Sequence, residues 1–273
     1  MVGPVVKEDM TDPEISYFEL QAYTGATKHM GGFETTKELI QLCHVGEDTT
    51  VLEIGVGVGA TACYLAKRYG CRVVGVDLRG SMIARANERA LKERVADRVE
   101  FRVADAQDLP FQDAQFDVVM AESVTTFVHD KQLAISEYAR VTRPGGYVGM
   151  NEEIWLQTPP QRLVEHVRLA WAIESDLLTS DGWTGLLEAR GLREILVKEY
   201  AVSARREATQ LKRYSLGDAL RMFYRTLGLY VRNSAFRAYM AGMRRTPKDL
   251  FEYLGYAILV GRKPGGEHEP QFT

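Results

Sequence analysis

The chain has little of what marks a secreted, membrane-spanning or metal-dependent protein. Among its 273 residues are three cysteines, Cys43, Cys63 and Cys71, with no C-x-x-C pair. Such an odd, scattered set excludes a disulfide framework and a cysteine zinc site, and a reducing cytoplasm is the expected setting. The five histidines, His29, His44, His129, His166 and His268, have no ligand spacing, so no metal is expected. No apolar run approaches the roughly 18 residues that a bilayer-spanning helix needs. The N-terminal "MVGPVVKEDMTDPE" has no basic stretch followed by an apolar one, which argues against a secretory signal. Internal repeats and low-complexity linkers are missing too. The net charge of −3 does not call for nucleic acid as a partner.

What is present is an ordered alternation. From Thr49 onward, short β-branched runs alternate with amphipathic stretches, the pattern of a parallel sheet with crossover helices. Strands are expected at 49–54, 71–77, 98–105, 116–122 and 146–152, with helices between them. After Glu152 come two helices, over 159–178 and 180–192, the second capped by Ser180 or Asp181. A strand from Arg193, about fifty helical residues and a last strand near "YAILVGRKP" follow. The expected fold is α/β, a Rossmann-like three-layer sandwich whose mostly parallel seven-stranded sheet has an antiparallel last strand and helical cap insertions. Four parts are expected: an N-terminal helical lid segment over 1–45, a binding core over 46–152, a C-terminal part over 153–263 with its cap at about 204–253, and a disordered tail over 264–273.

The stretch "LEIGVGVGA", Leu52 to Ala60, is a strand turning sharply into a helix around a nucleotide. Gly55, Gly57 and Ala60 satisfy the dinucleotide fingerprint G-x-G-x-x-G/A, and Asp77 lies where a ribose-binding acid belongs. Those glycines alone admit an NAD(P)-dependent oxidoreductase. Glu53 speaks against it, because an acid before the turn repels a pyrophosphate and welcomes a sulfonium or ammonium group. Asp105 in "VADAQDLPF" stands at a strand end suited to an adenine amino group, although it could instead cap a turn before "DLPF". The segments "FDVVMAE" and "RPGG" then follow in order.

Together these motifs resemble class I S-adenosylmethionine-dependent methyltransferases, in particular the small-molecule group that includes the ubiquinone/menaquinone, sterol and tocopherol enzymes. The resemblance covers about 46–152. It implies S-adenosylmethionine as cofactor, with Gly55, Gly57 and Gly59 letting the backbone approach its methionine part and Glu53 near the amino group. Asp77 would hold the ribose hydroxyls and Leu78 would pack on the adenine. Asp105 would bind the adenine amino group, Ala106 would offer its backbone amide to the ring, and Glu122 would face the methyl group. Related enzymes carry an H-x-G-G stretch that helps cover the cofactor, which points to His29, Gly31 and Gly32 in "KHMGGF". Tyr17 and Tyr23 upstream could line the same cavity.

Candidates for a base are His129 after the fourth strand, Glu122, and Glu152 at the end of the fifth, where Asn151 and Glu153 flank it. The acceptor would be a small, partly apolar molecule. Between Arg205 and Lys248, eleven Lys/Arg face two Asp/Glu, a local charge of +9 that leaves −12 elsewhere. Arg221, Arg225 and Arg232 fall on one helical stripe and Leu220, Phe223, Leu227, Tyr230 and Val231 on another. That pattern allows peripheral contact with an anionic membrane surface, or a docking face for RNA. The chain lacks an Asn/Asp-Pro-Pro-Tyr motif, which weakens the RNA version.

Overall fold

The computed structural model describes residues 23–24, 27–171, 173, 176–214, 216–243 and 246–265. Tyr17 and residues 266–273 of the expected tail lie outside the described residues. Seven strands form one sheet: β1 (Thr50–Ile54), β2 (Arg72–Asp77), β3 (Val99–Val103), β4 (Phe116–Glu122), β5 (Thr142–Trp155), β6 (Arg193–Ala201) and β7 (Leu254–Arg262). Their order is β3-β2-β1-β4-β5-β7-β6, with β7 antiparallel to both of its neighbours and the first five strands mutually parallel. The order in which strands are added reverses between β1 and β4, where parallel sheets open a crevice at their carboxyl ends.

Helices cover both faces because each strand alternates its side chains. On one face α1 (Gly32–Leu42), α2 (Ala60–Tyr69) and α3 (Gly80–Glu93) pack Leu39, Ile40, Leu65 and Ile83 against Val51, Val73 and Val118. On the other, α4 (Lys131–Val141) and α6 (Ser180–Ala189) bring Ile135, Tyr138, Trp183 and Leu187 onto Leu52, Val119 and Val148. Each such fully buried side chain contributes about 1.5–3 kcal/mol. Between them in sequence, α5 (Gln161–Trp171) sets Leu163 and Val167 against Trp155 and Leu254.

Three boundaries differ from the sequence reading. Strand β5 runs to Trp155, three residues past the expected end, because β7 pairs with it from Tyr147↔Arg262 to Trp155↔Leu254. Helix α5 stops at Trp171, short of 178. The cap of α6 is Thr179, whose hydroxyl accepts a hydrogen bond from the Gly182 amide at 3.2 Å, and neither Ser180 nor Asp181 takes that place. The insertion between β6 and β7 carries α7 (Ala204–Glu207), a 3-10 turn (Ala208–Arg213), α8 (Leu216–Arg232), α9 (Ser234–Met243) and α10 (Leu250–Tyr253).

Candidate functional site

A cavity of about 410 Å³ opens at the carboxyl ends of β1, β2, β4 and β5. Its floor is the turn after β1. Gly55 and Gly57 have φ of 65° and 54°, a left-handed region that side chains with a Cβ rarely adopt. A Cβ on Gly55 would lie 2.3 Å from the Val124 side chain, and one on Gly57 2.5 Å from that of Thr27. The turn is tied sideways by Asp77, which accepts hydrogen bonds from the Gly57 amide at 2.9 Å and the Arg79 amide at 3.0 Å. Burial pushes the Asp77 carboxyl up, and those two amides pull it back down.

Around this floor the cavity gathers Glu53, Leu78, Asp105, Ala106, Glu122, His29 and His129 from the residues singled out by sequence. Asp105 also accepts from the Gln107 amide at 2.9 Å, so the turn-forming alternative is present in the same residue that faces the cavity. Glu122 accepts hydrogen bonds from the hydroxyls of Thr36 at 2.9 Å and Thr61 at 3.3 Å. The buried His29 ring directs Nε2 at the Thr36 hydroxyl (3.1 Å) and at Glu122 (3.6 Å), while Nδ1 faces the Met30 carbonyl at 3.2 Å.

Several residues singled out by sequence stand elsewhere. Gly59 does not line the cavity. It caps α2, and a Cβ there would meet Ala86 at 3.0 Å and Phe101 at 3.3 Å, so its place is helix packing. Gly31 and Gly32 lie behind the cavity wall. A Cβ on Gly31 would meet the Tyr256 ring, and one on Gly32 the Arg206 carbonyl at 2.3 Å. The Tyr23 carbonyl accepts from Arg85 and Arg225, and its side chain is not part of the lining.

Glu152 is fully buried on the far face of β5, where its carboxylate accepts the amides of Val124 (3.3 Å), Thr125 (2.9 Å) and Thr126 (2.9 Å). It holds the loop after β4 and does not line the cavity. Its neighbour Glu153 does, because side chains alternate along a strand. Burial pushes both carboxyls up, and the Glu153 charge adds to the push on Glu152.

Sequence reasoning expected the N-terminal segment to cover the site through His29, but it missed what ties that strap down. Thr27, Lys28 and His29 line the cavity, and the insertion holds them in place. The Thr27 amide donates to the Tyr214 hydroxyl at 3.0 Å, and Gln210 donates to the His29 carbonyl at 2.8 Å. On the sheet side Asn151 donates to the Met30 carbonyl at 2.8 Å. No local pattern announces such partners, since they are polar side chains more than a hundred residues away in the chain.

Comparisons with known proteins agree with this geometry. Residues 52–150 match the family described as "Methyltransferase domain". The chain is 30% identical over 219 residues to 27-O-demethylrifamycin SV methyltransferase of Amycolatopsis mediterranei, a match taking in 78% of this chain and 77% of that one. It is 28% identical over 169 residues to phosphoethanolamine N-methyltransferase of Triticum aestivum, where the match takes in 62% of this chain and spans only a third (33%) of the relative. In shape it is similar to phosphoethanolamine N-methyltransferase 2 of Haemonchus contortus, solved with phosphomonomethylethanolamine and S-adenosylhomocysteine: TM-score 0.69, 22% identity, 90% of this chain and 57% of that one. The chain belongs to the class I S-adenosylmethionine-dependent methyltransferases.

The residues present fit that cofactor. Its amino group, ribose hydroxyls and adenine amino group are all hydrogen-bond donors, and the cavity offers the carboxylates Glu53, Asp77 and Asp105 along its floor. A pyrophosphate would need donors in those places, so the nicotinamide alternative is not favoured.

Proposed function

We propose that this chain transfers the methyl group of S-adenosylmethionine to a small-molecule acceptor, in a reducing cytoplasm. The observation that carries the reading is the glycine floor with acceptor carboxylates beside it, in a chain of this family. Glu53 would hold the amino group, Asp77 the ribose and Asp105 with Ala106 the adenine, with Leu78 packed on the ring. When bound, the cofactor supplies an electrophilic methyl carbon on a positively charged sulfur. What remains for the chain is to align the acceptor and exclude water, which Val124, Phe127 and Val128 do on one wall and the Thr27–His29 strap on another. Glu122 and His129 face the cavity and are placed to orient the acceptor or receive a proton. The three cysteines are free and buried, in keeping with a reducing setting. Calorimetric titration tests the reading: S-adenosylhomocysteine should bind and NAD(H) should not, and binding of NAD(H) alone would overturn it.

A second reading concerns the insertion. The stripe of α8 carrying Leu216, Leu220, Phe223, Tyr224, Leu227 and Tyr230 is exposed, and Leu229 is the buried residue of that helix. A surface helix ordinarily turns its apolar stripe inward; this one turns it outward, with Arg221, Arg225 and Arg232 along one edge. We infer that α8 lies on an anionic membrane surface, its apolar side in the lipid and its arginines at the headgroups. Among the described residues, no helix is long and apolar enough to cross a membrane. Sedimentation with phosphatidylglycerol vesicles should pellet the protein at low salt, and phosphatidylcholine vesicles should not. Equal pelleting of a variant with the three arginines changed to Gln would remove this reading.

A further inference from the structure

Strand register places three carboxylates in a staircase on one face of the sheet. Glu53 on β1 is level with Met120 on β4, Glu122 stands two residues further along β4, and Glu153 stands two residues beyond Asn151, the partner of Glu122 on β5. Each step moves one strand sideways and two residues forward, about 8 Å in all from strand spacing and rise. All three line the cavity. Glu53 belongs to the floor, and Glu122 is occupied by Thr36 and Thr61. Glu153, the top step, is 4% exposed, and its Oε2 has no hydrogen-bond partner among the described residues.

A buried carboxylate oxygen without a donor is unfavourable, and native structures keep such groups where water, an ion or a ligand supplies the donor or where the group serves catalysis. Burial pushes the Glu153 carboxyl up, and the nearby Ser123 and Thr126 hydroxyls, its own backbone amide and the Lys28 charge pull it only part of the way back. Lys28 is itself paired with Glu207 at 3.4 Å.

We propose that Glu153 is the anchor for the methyl acceptor, and that the acceptor presents an N–H or O–H group to its Oε2, making this an enzyme for amines or hydroxyl compounds. This rests on the methyltransferase reading above. The acceptor nitrogen or oxygen would form its new bond to the methyl carbon as the carbon–sulfur bond of the bound donor breaks and leaves its electron pair on sulfur. The N–H or O–H bond breaks with its pair staying on nitrogen or oxygen, and the proton passes to Glu153, which becomes a neutral carboxylic acid. A thiol would offer the top step only a weak donor, and a reacting carbon none of its own. Glu153 lies one strand away from Glu122 and further from the floor.

The test uses the full chain and Glu153→Gln. Calorimetry with S-adenosylhomocysteine comes first; if wild type does not bind it, the methyltransferase reading fails and this inference with it. Given binding, the variant should keep that affinity within about twofold and unfold at a higher temperature, because an uncompensated buried charge is gone. In wild type labelled with ¹³C at glutamate carboxyls and loaded with S-adenosylhomocysteine, 2-aminoethanol should shift one resonance that the variant lacks. A lower unfolding temperature with unchanged S-adenosylhomocysteine affinity would make Glu153 a structural residue and overturn the proposal. So would a wild type indifferent to 2-aminoethanol, or a shift that persists in Glu153→Gln.

Discussion

The floor of the cavity and its strap are built by different means. At the ends of β1 and β2 the chain makes its site from backbone, and the tie from Asp77 to the Gly57 amide spans only 20 residues. At the strap the ties are side chains from distant segments: 187 residues separate Thr27 from Tyr214, 181 separate His29 from Gln210, and 121 separate Met30 from Asn151. A local motif can form as soon as β1 and β2 pair, whereas the strap exists only once the insertion between β6 and β7 has docked. On the proposed reading, the half that would hold the cofactor is compact in sequence, and the half that would select an acceptor is free to vary with the insertion.

The sharpest way to break this contrast is at the floor. Gly55→Val forces a β-branched residue to a φ of 65° and drives its side chain into Val124. Backbone strain and overpacking together should cost about 3–5 kcal/mol, seen as loss of S-adenosylhomocysteine binding and a lower urea midpoint. If the variant binds normally, the floor is not made of backbone. Next comes Glu152→Gln, which puts an amide N–H₂ where Glu152 now accepts three backbone amides. A loss of about 2–3 kcal/mol in urea unfolding is expected. Should stability hold while methyl transfer disappears, Glu152 would return as a catalytic candidate.

Asp77→Ala should weaken S-adenosylhomocysteine binding by about 1–3 kcal/mol, because a charged acceptor is lost; unchanged calorimetric affinity would take Asp77 out of the site. The carboxyl of Glu153 offers a gentler test through pH. Burial holds it above its ordinary 4.5 in the fold, so its ionisation opposes folding as pH rises from the unfolded value through the folded one. Below the unfolded value both states are protonated and the penalty vanishes. Glu153→Gln should therefore match wild type in acid and gain on it with rising pH, by at most about 1.4 kcal/mol per unit. Parallel stability curves would show that burial does not perturb this group. The smallest effect is expected at the strap, where Tyr214→Phe removes the hydroxyl bonded to Thr27. It should cost about 1 kcal/mol and speed hydrogen exchange at 27–31 while leaving the floor protected.

Much of this was legible because the signals are local. Alternating β-branched runs mark strands that pair with their neighbours, and Gly55 and Gly57 mark a turn that only glycine tolerates. Gly59 is ambiguous in sequence because helix packing and cofactor approach ask for the same small residue. Glu152 and Glu153 could not be told apart, since adjacent strand residues point to opposite faces and the parity depends on what covers each face. Here Gly149, of the same parity as Glu153, sits against Cys43 and Leu39, a contact between β5 and α1 that no window of sequence contains. The outward apolar face of α8 was hidden for a related reason: periodicity reveals that a helix has two faces and is silent on which one meets the protein.

By itself the sequence determined the seven-stranded frame, the glycine floor and the acids at the ends of β1, β2 and β3, because short-range sterics and strand alternation act within a few residues of each position. Tertiary structure alone decided that Glu153 faces the cavity and Glu152 the loop, that Tyr214, Gln210 and Asn151 tie Thr27 to Met30 down, and that α8 shows its apolar side to the outside. Those outcomes depend on which surfaces meet after the chain has closed on itself, and burial is a property of the meeting surfaces.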